Sequence, residues 1–542
     1  MTGRTSGEQP NPDGQWPPAP AGFGPPPGPG GYGTFGPPPQ PWQVAPDTPA
    51  TVPVPAAAPA RTGGRFTDRP GSVVLAVLVA VLLAIGAGVY VTVRTDRGTP
   101  AAQDGKNPAA PSGSPSVDQG DGKGPGVGRD TYDPNGDIKP GEARVWLRDN
   151  QTEVAGAGTN QFGPWRVGEV VVKAMFKEVT AYAVADGQEK WKVALPTPLC
   201  GVPPAPSANG KLVVAVHESD SLTSHCTDLQ QIDLTTGKAG WKTAVPQETK
   251  FDSTGPFTLA ISGDTVAVAR STSMSGFSVT DGRKLFGTSN ENGCYPSEFA
   301  GGSRLLLKRS CAGAEQVMLQ EVDPVTAAPK WSHTYDKGWK LGRVLSMDPL
   351  VVAAYHSERK VWSITAFAAD GKIRSQSEPA FGVPGRCNGW GSADGLQECL
   401  ASTADADTLY VAGGKPGKEL GIDADAANQV VAVDLNTGKE KWRTAEQSKG
   451  RSVWPLAVEG GRVVVYVSPG KVEAASVVSL APADGSAQPL LRTPAAAAGA
   501  EGVFYNSGLQ LAWAGGRMFL LNGRAYSPAP GKQSRALLSF GK

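Results

Sequence analysis

The chain has 542 residues, and its 51 basic and 50 acidic side chains leave a formal net charge of +1. That balance, with no basic stripe, excludes the electrostatic footprint of a nucleic-acid binder. Aromatic residues make up only 7% of the chain, so any place that carries one repeatedly is informative.

Residues 1–70 are rich in Pro and Gly and almost uncharged in their middle, as in "GFGPPPGPGGYGTFGPPPQPWQ". Such a segment buries too little apolar surface to offset its ordering entropy, which predicts a disordered tail. Residues 71–94 contain "SVVLAVLVAVLLAIGAGVYVTV", Ser72 to Val93, with no charge in 22 residues. At about 1.5 Å per residue that stretch crosses a hydrocarbon core of about 30 Å. Its length and the long segment before it predict an uncleaved signal anchor and a single membrane span. Arg61, Arg65 and Arg69 precede it while Arg94, Arg97 and Lys106 follow, so charge leaves the orientation undecided. All six cysteines lie after it, which suits an oxidising compartment on that side. The expectation is a cytoplasmic N-terminus, a flexible extracytoplasmic tether over 95–135, and an extracytoplasmic globular region over 136–542.

That region repeats. "AVADGQEKW", "IDLTTGKAGW", "SVTDGRKLF", "VDPVTAAPKW", "FAADGKIRS", "VVAVDLNTGKEKW" and "LAPADGSAQP" each read as the end of a strand, a tight turn and a second strand. Their glycine places are Gly187, Gly237, Gly282, Ala327, Gly371, Gly438 and Gly485, spaced 50, 45, 45, 44, 67 and 47 residues apart. Four residues on stand Trp191, Trp241, Phe286, Trp331, Ser375, Trp442 and Pro489. A period near 45 with four short strands per unit is the signature of a β-propeller blade. The five aromatics are predicted to pack between blades. A last unit, "LQLAWAG", "RMFLLNG" and "RALLSF", supplies three strands, and "ARVWLRD" (143–149) has no blade of its own. Ring closure by that N-terminal strand predicts eight blades, with seven as the alternative, and abolishes an exposed edge.

The pattern from Asp233 to Trp241, "DLTTGKAGW", and from Asp434 to Trp442, "DLNTGKEKW", resembles the pyrroloquinoline-quinone-like (PQQ-like) propeller repeat over about residues 143–542. The resemblance implies an all-β propeller. It extends to quinone-dependent dehydrogenases and to non-catalytic relatives, among them an outer-membrane assembly scaffold and receptor sensor domains. The order of tail, anchor, tether and propeller also resembles many actinobacterial membrane proteins.

The cysteines pair in chain order as Cys200–Cys226, Cys294–Cys311 and Cys387–Cys399, one short segment of one blade each, although six cysteines allow 15 connectivities. A zinc set of Cys200, His217, His225 and Cys226 is disfavoured: His225 and Cys226 are neighbours that point to opposite faces of a strand. Asp233 and Asp434 are read as turn caps rather than acids. There is no adjacent-cysteine pair, haem-attachment motif, nucleophile elbow or phosphate loop, so no catalytic, metal or cofactor residue is assigned. The expected function is non-catalytic: a membrane-anchored envelope scaffold or sensor that binds a protein or small ligand. A quinone-dependent enzyme and a purely structural protein are the alternatives. Trp390, in the long unit's "GVPGRCNGWGSADGLQEC", is the candidate anchor for a partner.

Overall fold

The structure, a computed structural model, describes residues 132–542 except 155, 157, 253–254, 256, 271, 312–315, 384–395, 397–400, 416–427, 449, 471–472, 507 and 529–533. The predicted tail, the predicted membrane span and most of the predicted tether lie outside the described residues. Among the described residues no helix is long and apolar enough to cross a membrane.

Eight antiparallel sheets follow one another along the chain, so the molecule is the eight-bladed propeller of the first expectation and not the seven-bladed one. Blades 1 to 7 occupy 159–194, 199–244, 258–288, 294–335, 339–377, 402–443 and 453–492. Each consists of four consecutive strands; in blade 1 the two-residue strand Arg524–Ala525 adds a fifth. Blade 8 takes three strands from the C-terminal end, Leu509–Ala514, Arg517–Asn522 and Arg535–Gly541. Its fourth and outermost strand is Arg144–Asp149, with Val145 opposite Phe540 and Leu147 opposite Leu538. Packing begins ahead of that strand. The Asn135 side chain donates to the Val145 carbonyl at 2.8 Å and accepts from the Val145 N–H at 2.9 Å.

Strand chemistry follows position in the blade. Second strands such as Val170–Met175 ("VVVKAM") and Arg462–Val467 ("RVVVYV") are almost continuously apolar and buried on both faces, because neighbouring blades cover both. Outermost strands such as Lys238–Ala244 carry lysines and are mostly exposed, which protects the free edge. The core is accordingly a ring of layers between blades: Val172, Ala174 and Val179 of blade 1 pack with Leu212 and Val214 of blade 2.

Candidate functional site at the ring seam

Between the third and fourth strands of blades 1 to 7 the turn carboxylate is occupied by its own backbone. Asp233 Oδ1 accepts from the N–H groups of Thr235 at 2.9 Å and Thr236 at 3.3 Å, and Asp434 Oδ1 from Asn436 at 2.9 Å and Thr437 at 2.8 Å. Burial alone would raise the Asp233 carboxyl, but the hydrogen bonds from Lys211, Thr235 and Thr236 outweigh it and hold the group below the usual range. The Thr437 N–H, ahead of burial, does the same for Asp434. Neither residue offers a basic oxygen to a substrate.

The glycine that follows exists for its neighbour. Gly237, Gly282, Gly371 and Gly485 all hold positive φ, and a Cβ on any of them would stand 2.4–2.8 Å from the ring of Trp191, Trp241, Trp331 or Trp442 in the preceding blade. The indole N–H of Trp241 and Trp442 donates into the next blade, to Val279 O at 3.0 Å and Pro482 O at 2.8 Å, three residues ahead of each glycine. Phe286 packs against Leu305, Leu307 and Val322 of blade 4, beside Ala327, which keeps φ at 59° without being glycine. Between blades 5 and 6 the clasp position facing Gly438 holds no aromatic. Ser375 donates to Leu435 O at 2.7 Å there, and Arg374 reaches Asp407 at 2.5 Å and Asn436 Oδ1 at 2.7 Å.

The eighth clasp is one that the repeat did not reveal. Trp146, on the N-terminal strand, covers Gly187 of blade 1, where a Cβ would lie 2.6 Å from its ring, and donates to Val184 O at 2.9 Å. Arg148 adds a bond to Gly187 O at 2.5 Å. No turn connects its strand to the third strand of blade 8, so the motif that marks the other clasps could not mark this one.

Beside that closing strand lies a cleft of about 390 Å³, lined by 147–152 of the N-terminal strand and by Lys173, Glu178, Tyr182, Glu189 and Lys192 of blade 1. Lys173 is only 2% exposed, and the carboxylate within 4 Å of it, Glu178 Oε1, is 3.9 Å away, beyond hydrogen-bond range. Glu178 Oε2 instead accepts from Thr152 Oγ1 at 2.9 Å and faces Lys192 at 3.5 Å. Burial, partly opposed by Glu178, pulls the Lys173 ammonium down to about 8. Burial also raises the Tyr182 phenol, which therefore stays protonated. No sequence signal short of aligning the blades marks Lys173, since one lysine in "VVVKAM" reads as an ordinary strand.

Cys200–Cys226 and Cys294–Cys311 are disulfide-bonded, the second between directly opposed residues. Cys387, Cys399 and Trp390 lie outside the described residues. His217 Nδ1 meets Ser224 O at 2.8 Å while His225 is exposed beside Glu218. Among the described residues no group of three or more His, Cys, Asp or Glu is placed to hold a metal. The first disulfide sits at the base of the 218–225 loop, whose Leu222 is 46% exposed; Phe251, in the connection from blade 2 to blade 3, is 72% exposed. Both belong to loops at the same end of blade 2, since the chain reverses there after the second and fourth strands.

A model of the family described as outer membrane protein assembly factor BamB matches residues 137–293 and 352–523. Among solved structures, the chain is similar to BamB from Moraxella catarrhalis at 16% identity and a TM-score of 0.41, covering 72% of this chain and 99% of that one. It is similar to the computationally designed Ika8 protein at 10% identity and 0.43, over 73% and 100% of the two chains. The Dos1 propeller matches at 11% and 0.42, over 74% and 97%. No curated protein matches the chain.

Proposed function

The chain belongs to the family of the outer membrane protein assembly factor BamB, and from that premise we propose that it is a non-catalytic scaffold that holds protein partners at the cell envelope. The observation that carries the reading is where the repeated chemistry goes. The turn aspartates cap their own turns and the tryptophans clasp the next blade, so the repeat's polar and aromatic residues hold a rigid ring together. Recognition is left to the loops. Leu222 and Phe251 supply exposed apolar surface at one end of blade 2, on a loop stapled at its base, which suits a protein partner. Residues 72–93 would anchor the ring to a membrane with the propeller on the oxidising side, a reading supported by the two disulfides.

Native mass spectrometry of the full-length protein, released gently from its own membranes, tests this. A stoichiometric co-isolated protein is expected, and the double substitution Leu222→Asp with Phe251→Asp should remove it while leaving the melting temperature within about 1 °C, as surface changes do. A bound quinone with calcium and no protein partner would overturn the scaffold reading.

A further inference from the structure

By register, the other seven blades place an aliphatic residue where the second strand of blade 1 has Lys173: Val214, Val268, Leu307, Val352, Val411, Val465 and Leu520. Blade 1 has Lys173, buried and without a carboxylate in hydrogen-bond range. Taking an ammonium out of water is costly unless a partner meets it. The equivalent strands show that the fold does not require one there.

The neighbouring row carries a second unmet group. In the blade 1 sheet Lys173 lies opposite Thr180, and Thr180 opposite Lys192, so the three project from one face. Thr180 is fully buried and its Oγ1 has no hydrogen-bond partner. Lys192 stands 3.5 Å from Glu178 and 3.8 Å from Glu189, again beyond hydrogen-bond range. Two ammoniums therefore line one cleft with donors in hand, and the unmet Thr180 hydroxyl is buried in the row between them. The cleft's 390 Å³ falls in the range of small-ligand pockets.

We propose that the ring seam is a binding site for a small carboxylate, whose oxygens accept hydrogen bonds from Lys173, Thr180 and Lys192. Glu189 and Asp149 on the cleft wall would receive an amino or hydroxyl group on the same molecule, which favours an amino acid or hydroxy acid. Because the N-terminal strand and the segment after it form one wall, an occupant would bridge blade 8 and blade 1 and strengthen closure of the ring. None of this depends on the scaffold reading.

The test is a melting titration of the full-length protein with sodium acetate, L-alanine and trialanine, against sodium chloride and methylammonium chloride at equal ionic strength. A carboxylate present at a hundred times its Kd should raise the melting temperature by roughly 3 °C, with no rise in the chloride salts. A response to trialanine alone would assign the site to a peptide C-terminus rather than a free acid. Lys173→Met, which installs the aliphatic character of the other blades, should fold with an equal or higher melting temperature and lose at least tenfold in affinity. Thr180→Val keeps the shape and should weaken binding by a similar factor. Equal shifts with carboxylates and chloride, no shift at all, or an undiminished response in both variants would overturn the site.

Discussion

Gly263 and Gly282 both hold positive φ, at 57° and 75°, yet only one of them is crowded. A Cβ at Gly263 meets nothing within 4 Å, whereas at Gly282 it lies 2.6 Å from the Trp241 ring. Alanine at either place incurs left-handed backbone strain of about 1–2 kcal/mol. Gly282→Ala should cost a further 1–3 kcal/mol or so, because the tryptophan must move. Urea midpoints of the two variants measure that difference, and equal losses would mean that the clasp is loose. Glu501 gives a residue-scale prediction of another kind. Its carboxyl is fully buried, with Oε1 unpartnered and Oε2 accepting the Ala475 N–H at 3.2 Å. Burial raises it to about 7, only partly opposed by the Thr493 and Ala475 hydrogen bonds. The charged groups facing it are few, since the nearby Tyr466 and Tyr505 phenols are raised and stay protonated. The folded state thus holds this proton more tightly than the unfolded one, and stability falls as pH rises from about 4.5 to 7. Glu501→Gln should match the wild type at pH 4 and exceed it by up to about 3 kcal/mol at pH 8. Denaturant melts at the two pH values decide it, and a variant weaker at both would show that the carboxylate is needed.

At the scale of the element, the N-terminal strand is held by a ladder and a latch. Arg144–Asp149 pairs antiparallel with Arg535–Gly541, and Trp146 then covers Gly187 of the next blade. Trp146→Ala removes a large, 9%-exposed ring and its hydrogen bond to Val184 O, so a loss of about 3–5 kcal/mol is expected. Arg374→Ala, at the seam whose clasp position lacks an aromatic, should cost about 1 kcal/mol or less, since its partners Asp407 and Asn436 are exposed. Chemical unfolding of both variants ranks the two kinds of clasp. The same strands show what was legible beforehand. The glycine places and the five aromatics could be read because a left-handed turn followed by a ring leaves a mark at fixed spacing. Ring closure by 143–149 followed from counting strands. Trp146 escaped because no turn glycine precedes it, and Arg374 because the repeat was defined by aromatics and here a guanidinium replaces one. Lys173 escaped because its meaning is a departure from the other blades, visible only once their registers are known.

At the scale of the whole ring, each blade is held through two faces, and the covalent staples act elsewhere. Cys200–Cys226 and Cys294–Cys311 join strands within blades 2 and 4 and cross no seam. They close spans of 26 and 17 residues, worth roughly 3 kcal/mol each in the chain-entropy account. Seams between sequential blades are backed by chain connectivity, which keeps separated faces close. The seam from blade 8 to blade 1 has three supports: the strand pairing of the N-terminal segment, the chain that continues from Asp149 into Thr159, and the pairing of Arg524–Ala525 with Thr159 and Asn160. Releasing the first frees a whole edge of blade 8 and uncovers the Gly187 turn of blade 1 while leaving blades 2 to 6 in place, so this should be the opening of lowest free energy. Native-state hydrogen exchange makes the prediction concrete. In Trp146→Ala, amides of 144–149, 535–541 and 178–183 should exchange faster, while those of blades 4 and 5 hold their wild-type rates. Replacing the Cys200–Cys226 and Cys294–Cys311 pairs by serines should produce the opposite map, with acceleration in blades 2 and 4 and the closing strand protected. Uniform acceleration across all eight blades in Trp146→Ala would instead mean that the ring opens only by unfolding as one unit, and that closure by the N-terminal strand confers no separate step.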